Sequence, residues 1–326
     1  MGKIIICGLG LIGKQRYSAL VEAGYSSENI LVYDPNLSTL SKSRDFIQID
    51  MKEFESDIDV ERVIVSTPHF YSADIAGRFL DFGAKVLMEK PMGRNLAEAK
   101  QLYQNINSKN LSIGFNYRFM PAVQILRQEI QNNSLGEIHT IRLELGHGGS
   151  PSDRKSWKLN PVAAGGGALL DPGIHLLDLM GYIFGCNVEN TQIAGALDWK
   201  GFWLTGIEET VSAIGYFNST IVNFHVSLVS WKTRFEIEVI GTDGYFRISG
   251  RGRSDGPQII TKGKRWGWQT STSQEDSEER IVLATEDKSI KVETIAWLNN
   301  SLEVANAEDG MAAESLRYAI ERKIVL

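Results

Sequence analysis

Three short segments carry residues whose types and spacing could do chemistry. The first, Gly8-Leu9-Gly10-Leu11-Ile12-Gly13, follows the apolar run Ile4-Ile5-Ile6-Cys7 and opens a stretch with helical spacing. That context suits a phosphate cradle. Gly8 permits a tight turn, Gly10 lets the backbone approach a pyrophosphate, and Gly13 lets the helix pack closely on the strand. Through Leu11 and Ile12 the helix start offers backbone N–H groups and the positive end of its dipole. Asp34 closes Leu31-Val32-Tyr33-Asp34, 21 residues past Gly13. An acid at that spacing accepts hydrogen bonds from the adenosine ribose and repels the extra phosphate of NADP. NAD is therefore the expected cofactor and NADP the less favoured one. Lys42 and Arg44 could still fold toward a 2′-phosphate, and Asp34-Pro35-Asn36 alone would read as a turn.

The second segment is Met88-Glu89-Lys90-Pro91, at the end of an apolar run. Loops beyond the carboxyl ends of parallel strands are where open α/β sheets bind ligands. A lysine there can donate hydrogen bonds to a substrate oxygen, and in a dry site its pKa can fall far enough to share a proton. The third segment runs from Gly165-Gly166-Gly167 through Asp171-Pro172-Gly173 and His175 to Asp178. Pro172 suits the first position of a helix and Asp171 its N-cap. On that reading Asp171 and His175 share one helix face, and Asp178 can hold an imidazole nitrogen and fix the tautomer. An imidazole between two acids, after a flexible glycine approach, points to acid–base chemistry.

The elements that must position these groups change character along the chain. Residues 1–115 alternate apolar, β-branched runs with helically spaced stretches, the pattern of βαβ units in a doubly wound parallel sheet. After Met120-Pro121 one amphipathic helix is expected over Ala122–Gln131, then a strand over Glu137–Leu145. Several further runs between Thr210 and Ser249 predict a large, open, mostly antiparallel sheet. The expected fold class is α/β, with an N-terminal doubly wound domain (1–118) and a C-terminal α+β domain (119–326). The last helix, expected over Asp309–Arg322, can pack back on the first domain. Gly250–Glu279 is polar, glycine-rich and basic, and reads as a long exposed excursion. All seven tryptophans follow residue 156. They suit the faces of an antiparallel sheet or an oligomer interface better than a sugar-stacking platform.

Composition narrows the function classes. Of 326 residues, 43% are hydrophobic and 23% charged, ordinary for globular domains. Lys and Arg number 34 against 40 Asp and Glu, a net charge of −6, so a nucleic-acid-binding surface is not expected. No apolar run reaches the length of a membrane span, and the N-terminus shows no signal-peptide pattern, so a cytoplasmic protein is expected. Two cysteines support neither a disulfide framework nor a zinc–thiolate centre, and no metal ligand set is assigned.

Taken in order, Gly8-x-Gly10-x-x-Gly13, Glu89-Lys90-Pro91 and Gly-Gly-Gly…Asp171-x-Gly-x-His175-x-x-Asp178 make the chain resemble the glucose–fructose oxidoreductase / inositol dehydrogenase (Gfo/Idh/MocA) family along its whole length. The resemblance implies a Rossmann domain joined to an α/β domain whose open sheet mediates homodimers or homotetramers. It implies catalysis by Lys90, Asp171 and His175, and a cofactor's nicotinamide side lined by Thr67, Pro68, Glu89 and Asn116. It also implies a cis Lys90–Pro91 bond that aims the lysine into a cleft. The implied reaction is a reversible alcohol–ketone conversion of a sugar, polyol or sugar derivative, nucleotide-linked ones included. His175 takes the hydroxyl proton, Lys90 polarises the oxygen, and Asp171 orients a substrate hydroxyl or Lys90. One departure stands out: relatives read Thr-Pro-Asn-x-x-His where this chain has Thr67-Pro68-His69-Phe70-Tyr71-Ser72, so His69 is given no role. His147 reads equally as a substrate contact or a solvated loop residue. Arg154, Lys155 and Lys158 hint at an anionic substrate group. Two other readings of the same fold are a non-catalytic NAD(H)-sensing regulator, which should have lost Lys90 or His175, and a reductase of C=N or C=C bonds.

Overall fold

The computed structural model describes residues 2–35, 47–48, 60–269 and 277–324. Lys42 and Arg44 lie outside the described residues. The chain divides into two compact units. One comprises Met1–Asn116 with Ser289–Met311, the other Tyr117–Lys288 with Ala312–Leu326.

In the first unit, β1 (Lys3–Cys7), β2 (Ile30–Tyr33), β3 (Ile47–Gln48), β4 (Val60–Val65), β5 (Lys85–Glu89) and β6 (Leu111–Gly114) pair in the order β3-β2-β1-β4-β5-β6, all parallel. Central strands such as Ile4-Ile5-Ile6-Cys7 and Val63-Ile64-Val65 are buried along most of their length, which explains their unbroken apolar character. Strand order reverses between β1 and β4, so the carboxyl ends of these two strands open a crevice where such sheets bind ligands. Helices α1 (Leu11–Glu22), α2 (His69–Asp81) and α3 (Leu96–Tyr103) connect the strands. Asn95 caps α3 through the backbone N–H groups of Ala97 and Glu98. The returning segment 289–311 supplies a helix packed on α1 and a two-residue strand, Ala305–Asn306, antiparallel to β6.

In the second unit, α4 (Pro121–Gln131) starts with proline at its first turn, where the missing N–H costs nothing. Strands β7 (Ile138–Gly146), β8 (Thr191–Trp199), β9 (Thr210–Phe217), β10 (Thr220–Ser227), β11 (Arg234–Gly241), β12 (Gly244–Ser249), β13 (Ile259–Lys264) and β14 (Glu278–Val282) form one sheet. Its order is β14-β13-β12-β11-β7-β10-β9-β8, antiparallel except for β7 with β10. Along β7, Ile141, Leu143 and Leu145 are buried while Arg142 and Glu144 face the other side, the period-two pattern of a sheet covered on one face. Helices α4 and α6 (Ile174–Phe184) pack on that sheet through β12 and β7. Between them, α5 (Pro161–Ala164) is a single turn capped by Asn160.

The expected exposed excursion over Gly250–Glu279 is overturned for most of its length. Strand β13 extends the sheet inside it, with Gln258, Ile260 and Thr261 buried. Its basic residues find local partners: Arg251 with Asp255, Arg253 with Asp287, and Lys262 with Glu129. Residues 270–276 lie outside the described set. The tryptophans split in role. Trp203 and Trp297 are buried, whereas Trp231, in the β10–β11 connection, is 99% exposed.

Candidate active site

The cofactor candidates lie at the carboxyl ends of the first unit's parallel strands. Gly8 sits at φ +88, and a Cβ there would stand 2.7 Å from the Ser66 carbonyl oxygen. A Cβ on Gly13 would meet the Gly8 carbonyl oxygen at 2.0 Å, so close packing of turn and helix excludes any side chain. Gly10 differs: nothing stands within 4 Å of its missing Cβ, and Gly10 and Leu11 face solvent. No side chain caps α1. The three glycines thus form an open cradle above an uncapped helix start, which fits a pyrophosphate. Asp34 belongs to the same construction, because its Oδ2 accepts a 2.8 Å hydrogen bond from the Leu9 N–H. The carboxylate that meets a ribose in the expected role also fastens the glycine turn. Ser66, which carries no sequence signal, locks that turn by donating 2.7 Å to the Gly8 carbonyl.

Thr67 and Pro68 lead into α2, and Ser72 Oγ lies 3.0 Å from both the Thr67 hydroxyl and its carbonyl. The serine that stands where relatives carry histidine therefore pins this corner. Asn116 is buried and donates 2.6 Å to Ser289 Oγ. Glu89 receives the Arg16 guanidinium at 2.6 and 2.9 Å. Lys90 follows β5, half-buried, and the Lys90–Pro91 peptide is cis.

The second unit holds the other candidates. The expected helix start at Pro172 is corrected: α6 begins at Ile174 with Gly173 as N-cap, and the Asp171–Pro172 peptide is cis. Asp171 therefore stands in the preceding turn and is not the cap. The reason lies upstream. Glu208 accepts the N–H groups of Gly167 and Leu169 on Oε1 at 2.8 and 3.2 Å, and its carbonyl accepts that of Ala168 at 2.8 Å. A Cβ on Gly167 would lie 1.9 Å from that carbonyl oxygen. The glycine run is a clasped turn rather than a flexible approach. Burial pushes the Glu208 carboxyl upward, opposed by those backbone N–H groups.

Asp171 pairs with Lys158 Nζ at 3.0 Å, which gives that charge a partner. His175 is buried on α6, stacked face to face on Tyr117 with centroids 4.0 Å apart and planes 3° from parallel. The Tyr117 hydroxyl accepts a hydrogen bond from Arg251, which also pairs with Asp255 at 3.0 Å. Tyr117 and Arg251 were not legible as site residues, since 134 positions separate them. Asp178, expected to hold the imidazole, gives both oxygens to Arg118 at 2.5, 2.9 and 3.1 Å. His147 accepts the Gly149 N–H on Nδ1, which places its proton on Nε2. Burial lowers its pKa, with Asp171 opposing and Lys158 and Arg251 adding to the drop. It lies near Asp171 and, with Nδ1 accepting, its imidazole N–H is on Nε2.

A parallel sheet with this strand order, glycine cradle and acid defines an NAD-binding Rossmann unit, followed here by a large sheet domain. Residues 2–117 match the model of the oxidoreductase family with an NAD-binding Rossmann fold, and residues 123–247 match the GFO/IDH/MocA C-terminal domain. The chain belongs to the GFO/IDH/MocA oxidoreductase family. It is 31% identical over 140 residues to levoglucosan dehydrogenase of Pseudarthrobacter phenanthrenivorans, covering 42% of this chain and 36% of that protein. It is 33% identical over 190 residues to glucose-6-phosphate 3-dehydrogenase of Bacillus subtilis, covering 56% and 54%. With trans-1,2-dihydrobenzene-1,2-diol dehydrogenase of Bos taurus it shares 29% over 200 residues, covering 60% and 57%. The matched region thus spans between about a third and three fifths of these relatives. Among solved structures, levoglucosan dehydrogenase in complex with NADH and levoglucosan superposes with a TM-score of 0.81 at 19% identity, over 99% of this chain and 96% of that one. KijD10, a 3-ketoreductase from Actinomadura kijaniata in complex with NADP and TDP-benzene, gives 0.78 at 18%, over 99% and 98%. At these identities the structures attest the fold.

Proposed function

We propose that the protein is an NAD-dependent dehydrogenase that oxidises a secondary hydroxyl of a sugar, polyol or sugar derivative, or reduces the corresponding ketone. The observation that carries it is the cradle of Gly8, Gly10 and Gly13, open above Gly10 and tied to Asp34. The matched dehydrogenases, which act on levoglucosan, glucose 6-phosphate and a dihydrodiol by their names, support the substrate class. When bound, the nicotinamide supplies the hydride acceptor. Gly8, Gly10, Leu11, Ile12 and Gly13 hold the pyrophosphate, Asp34 the ribose, and Thr67, Pro68, Glu89 and Asn116 border the nicotinamide side.

In the oxidative direction His175 takes the hydroxyl proton on its imidazole. Tyr117, stacked on the ring, limits how that imidazole can turn. Lys90 donates a hydrogen bond to the reacting oxygen and stabilises charge as it develops there. Asp171 accepts a hydrogen bond from a substrate hydroxyl and releases Lys158 to a neighbouring oxygen. The test combines the purified protein, NAD and a panel of sugars, polyols, sugar phosphates and sugar acids, read by NADH formation. At least one compound should be oxidised. His175→Ala and Lys90→Met should each lower turnover on the order of a hundredfold or more while NADH still binds. Near-normal turnover in either variant would remove that residue from the scheme.

The open face of the large sheet supports self-association as a homodimer or homotetramer. Leu197, Ile214, Tyr216 and Ile221 are exposed on its strands, around the Arg142–Glu238 and Arg234–Glu144 ion pairs. No helix among the described residues is long and apolar enough to cross a membrane. A cytoplasmic location is part of this proposal, supported by two buried free thiols, Cys7 and Cys186.

A further inference from the structure

Tyr117 is the first residue of the second unit, and three side chains of that unit fix its ring and hydroxyl. One face lies on the His175 imidazole, with centroids 4.0 Å apart and planes 3° from parallel. The Phe235 ring of β11 meets it edge-on at 5.6 Å. At the rim, Arg251 Nη1 donates to the phenol oxygen. Arg251 is itself held, because its Nε donates to Asp255 Oδ2 at 3.0 Å and the Asp255 side chain is 3% exposed. The connection between β12 and β13 that carries both residues is closed on itself. The Gly252 N–H donates to the Gly256 carbonyl at 2.8 Å, the Asp287 N–H donates to the Gly252 carbonyl at 3.0 Å, and Arg253 pairs with Asp287 at 2.6 Å.

The direction of the Arg251 contact decides where the tyrosine proton can go. A guanidinium only donates, whereas a phenol has one proton to give and lone pairs that accept. The Tyr117 oxygen therefore accepts, and its own proton has no acceptor among the described residues. Burial raises the Tyr117 pKa against the opposing pull of Arg251, so the hydroxyl keeps that proton at neutral pH. In folded proteins a buried donor is met by protein, water or ligand. This one stands beside the imidazole. Tyr117 and His175 are each 5% exposed, and their stacking leaves the phenol oxygen and the imidazole nitrogens within reach of two oxygens on adjacent carbons of one molecule.

We propose that Tyr117 is a specificity-determining residue whose hydroxyl, aimed by Arg251, donates a hydrogen bond to a non-reacting substrate hydroxyl on a carbon next to the one oxidised. The preferred substrate is then a vicinal diol unit of a sugar or polyol rather than an isolated secondary alcohol. The inference rests on the reading that His175 takes the proton of the reacting hydroxyl. Arg251 acts through Tyr117 and is a positioning residue, not a catalytic one.

The test uses the purified protein, NAD and the compound of the panel that is oxidised fastest. Beside it run two analogues, each lacking the hydroxyl on one of the carbons flanking the oxidised one. Tyr117→Phe keeps the ring and both aromatic contacts and deletes only the donor. It should lower kcat/KM for the parent compound roughly tenfold, mainly by raising KM. One analogue should already be a poorer substrate of the wild type, and on that analogue Tyr117→Phe should lose nothing further. Arg251→Met/Asp255→Leu removes the hold on the hydroxyl without leaving a carboxylate buried alone. It should show the same pattern at smaller amplitude, and it reads the same contact should Tyr117→Phe not fold. Equal losses on all three compounds would make Tyr117 a structural wedge and overturn the proposal. Unchanged kinetics in Tyr117→Phe would do the same, as would a fastest substrate without a neighbouring hydroxyl. A wild type that oxidises nothing in the panel fails the dehydrogenase reading itself, before any variant is made, and the proposal with it.

Discussion

Replacing Arg118 by Met should destabilise the second unit, because it removes one side of a buried ion pair and the guanidinium that lies over the Tyr182 ring. Arg118 fixes the turn after β6 to helix α6 through a two-pronged ion pair with Asp178, and the two side chains expose only 4% and 1%. Methionine keeps the apolar stem but leaves a carboxylate buried without its counter-charge. Breaking one side of such a pair costs about 3–5 kcal/mol, because the remaining charge keeps its desolvation cost. For a unit of this size each kcal/mol moves the melting temperature by roughly 2–4 °C, so a fall of roughly 6–20 °C is expected. Asp178→Leu should fall by a similar amount. The double variant Arg118→Met/Asp178→Leu should recover most of the loss, since replacing a whole buried pair by apolar groups is often neutral. Calorimetry resolves the transition, and the double-mutant cycle gives the coupling. Losses below about 1 kcal/mol, or strictly additive effects, would refute the view that this pair is a desolvated, mutually dependent unit.

Burial raises the Glu208 carboxyl pKa, so the fold favours the protonated form more than the unfolded chain does. That contribution is fully present below the unfolded carboxyl pKa and is lost as pH rises through the folded value. Glu208→Gln keeps an acceptor for the Gly167 and Leu169 N–H groups, so its melting temperature should gain on the wild type as pH rises above the ordinary carboxyl range; a constant difference would argue against the assignment. Burial also pushes the Cys186 thiol up to about 12 and raises that of Cys7 further. Neither should react with an aromatic disulfide reagent in the native protein, and both should react in denaturant. Ile214→Lys places a charge on the open sheet face and should shift the molecular mass seen by light scattering toward the monomer; an unchanged mass would move the interface elsewhere.

The glycine fingerprint was legible because backbone geometry demands it: φ +88 at Gly8 and a 2.0 Å approach at Gly13 admit no other residue. Strands β7 and β9 to β12 were legible from alternation, since one face is covered and the other open, whereas β8 and β14 carried no expectation. Strand β13 was not, because Lys262 and the glycines around it read as loop until Glu129 and β12 provide partners. Pro172 misled for a related reason. A proline after an acid resembles a helix start, but the clasp of Glu208 on residues 167–169 postpones the helix to Ile174. Ion pairs join Arg16 to Glu89 and Glu293, and the Tyr117 stack joins 117 to 175. Contacts at such separations leave no local period or spacing to read. The return of residues 289–311 to the first unit is equally silent, since Ala305–Asn306 is a strand of only two residues.

The central claim is a direct transfer of hydrogen from a substrate carbinol carbon to NAD. It is tested by taking the compound in the panel that gives the fastest NADH formation and deuterating it at each carbinol carbon in turn. One labelled position, and no other, should yield reduced cofactor carrying deuterium at nicotinamide C4, with the same carbon becoming a ketone. Reduced cofactor without deuterium from any position would contradict it, as would a panel in which NADH binds and nothing is oxidised.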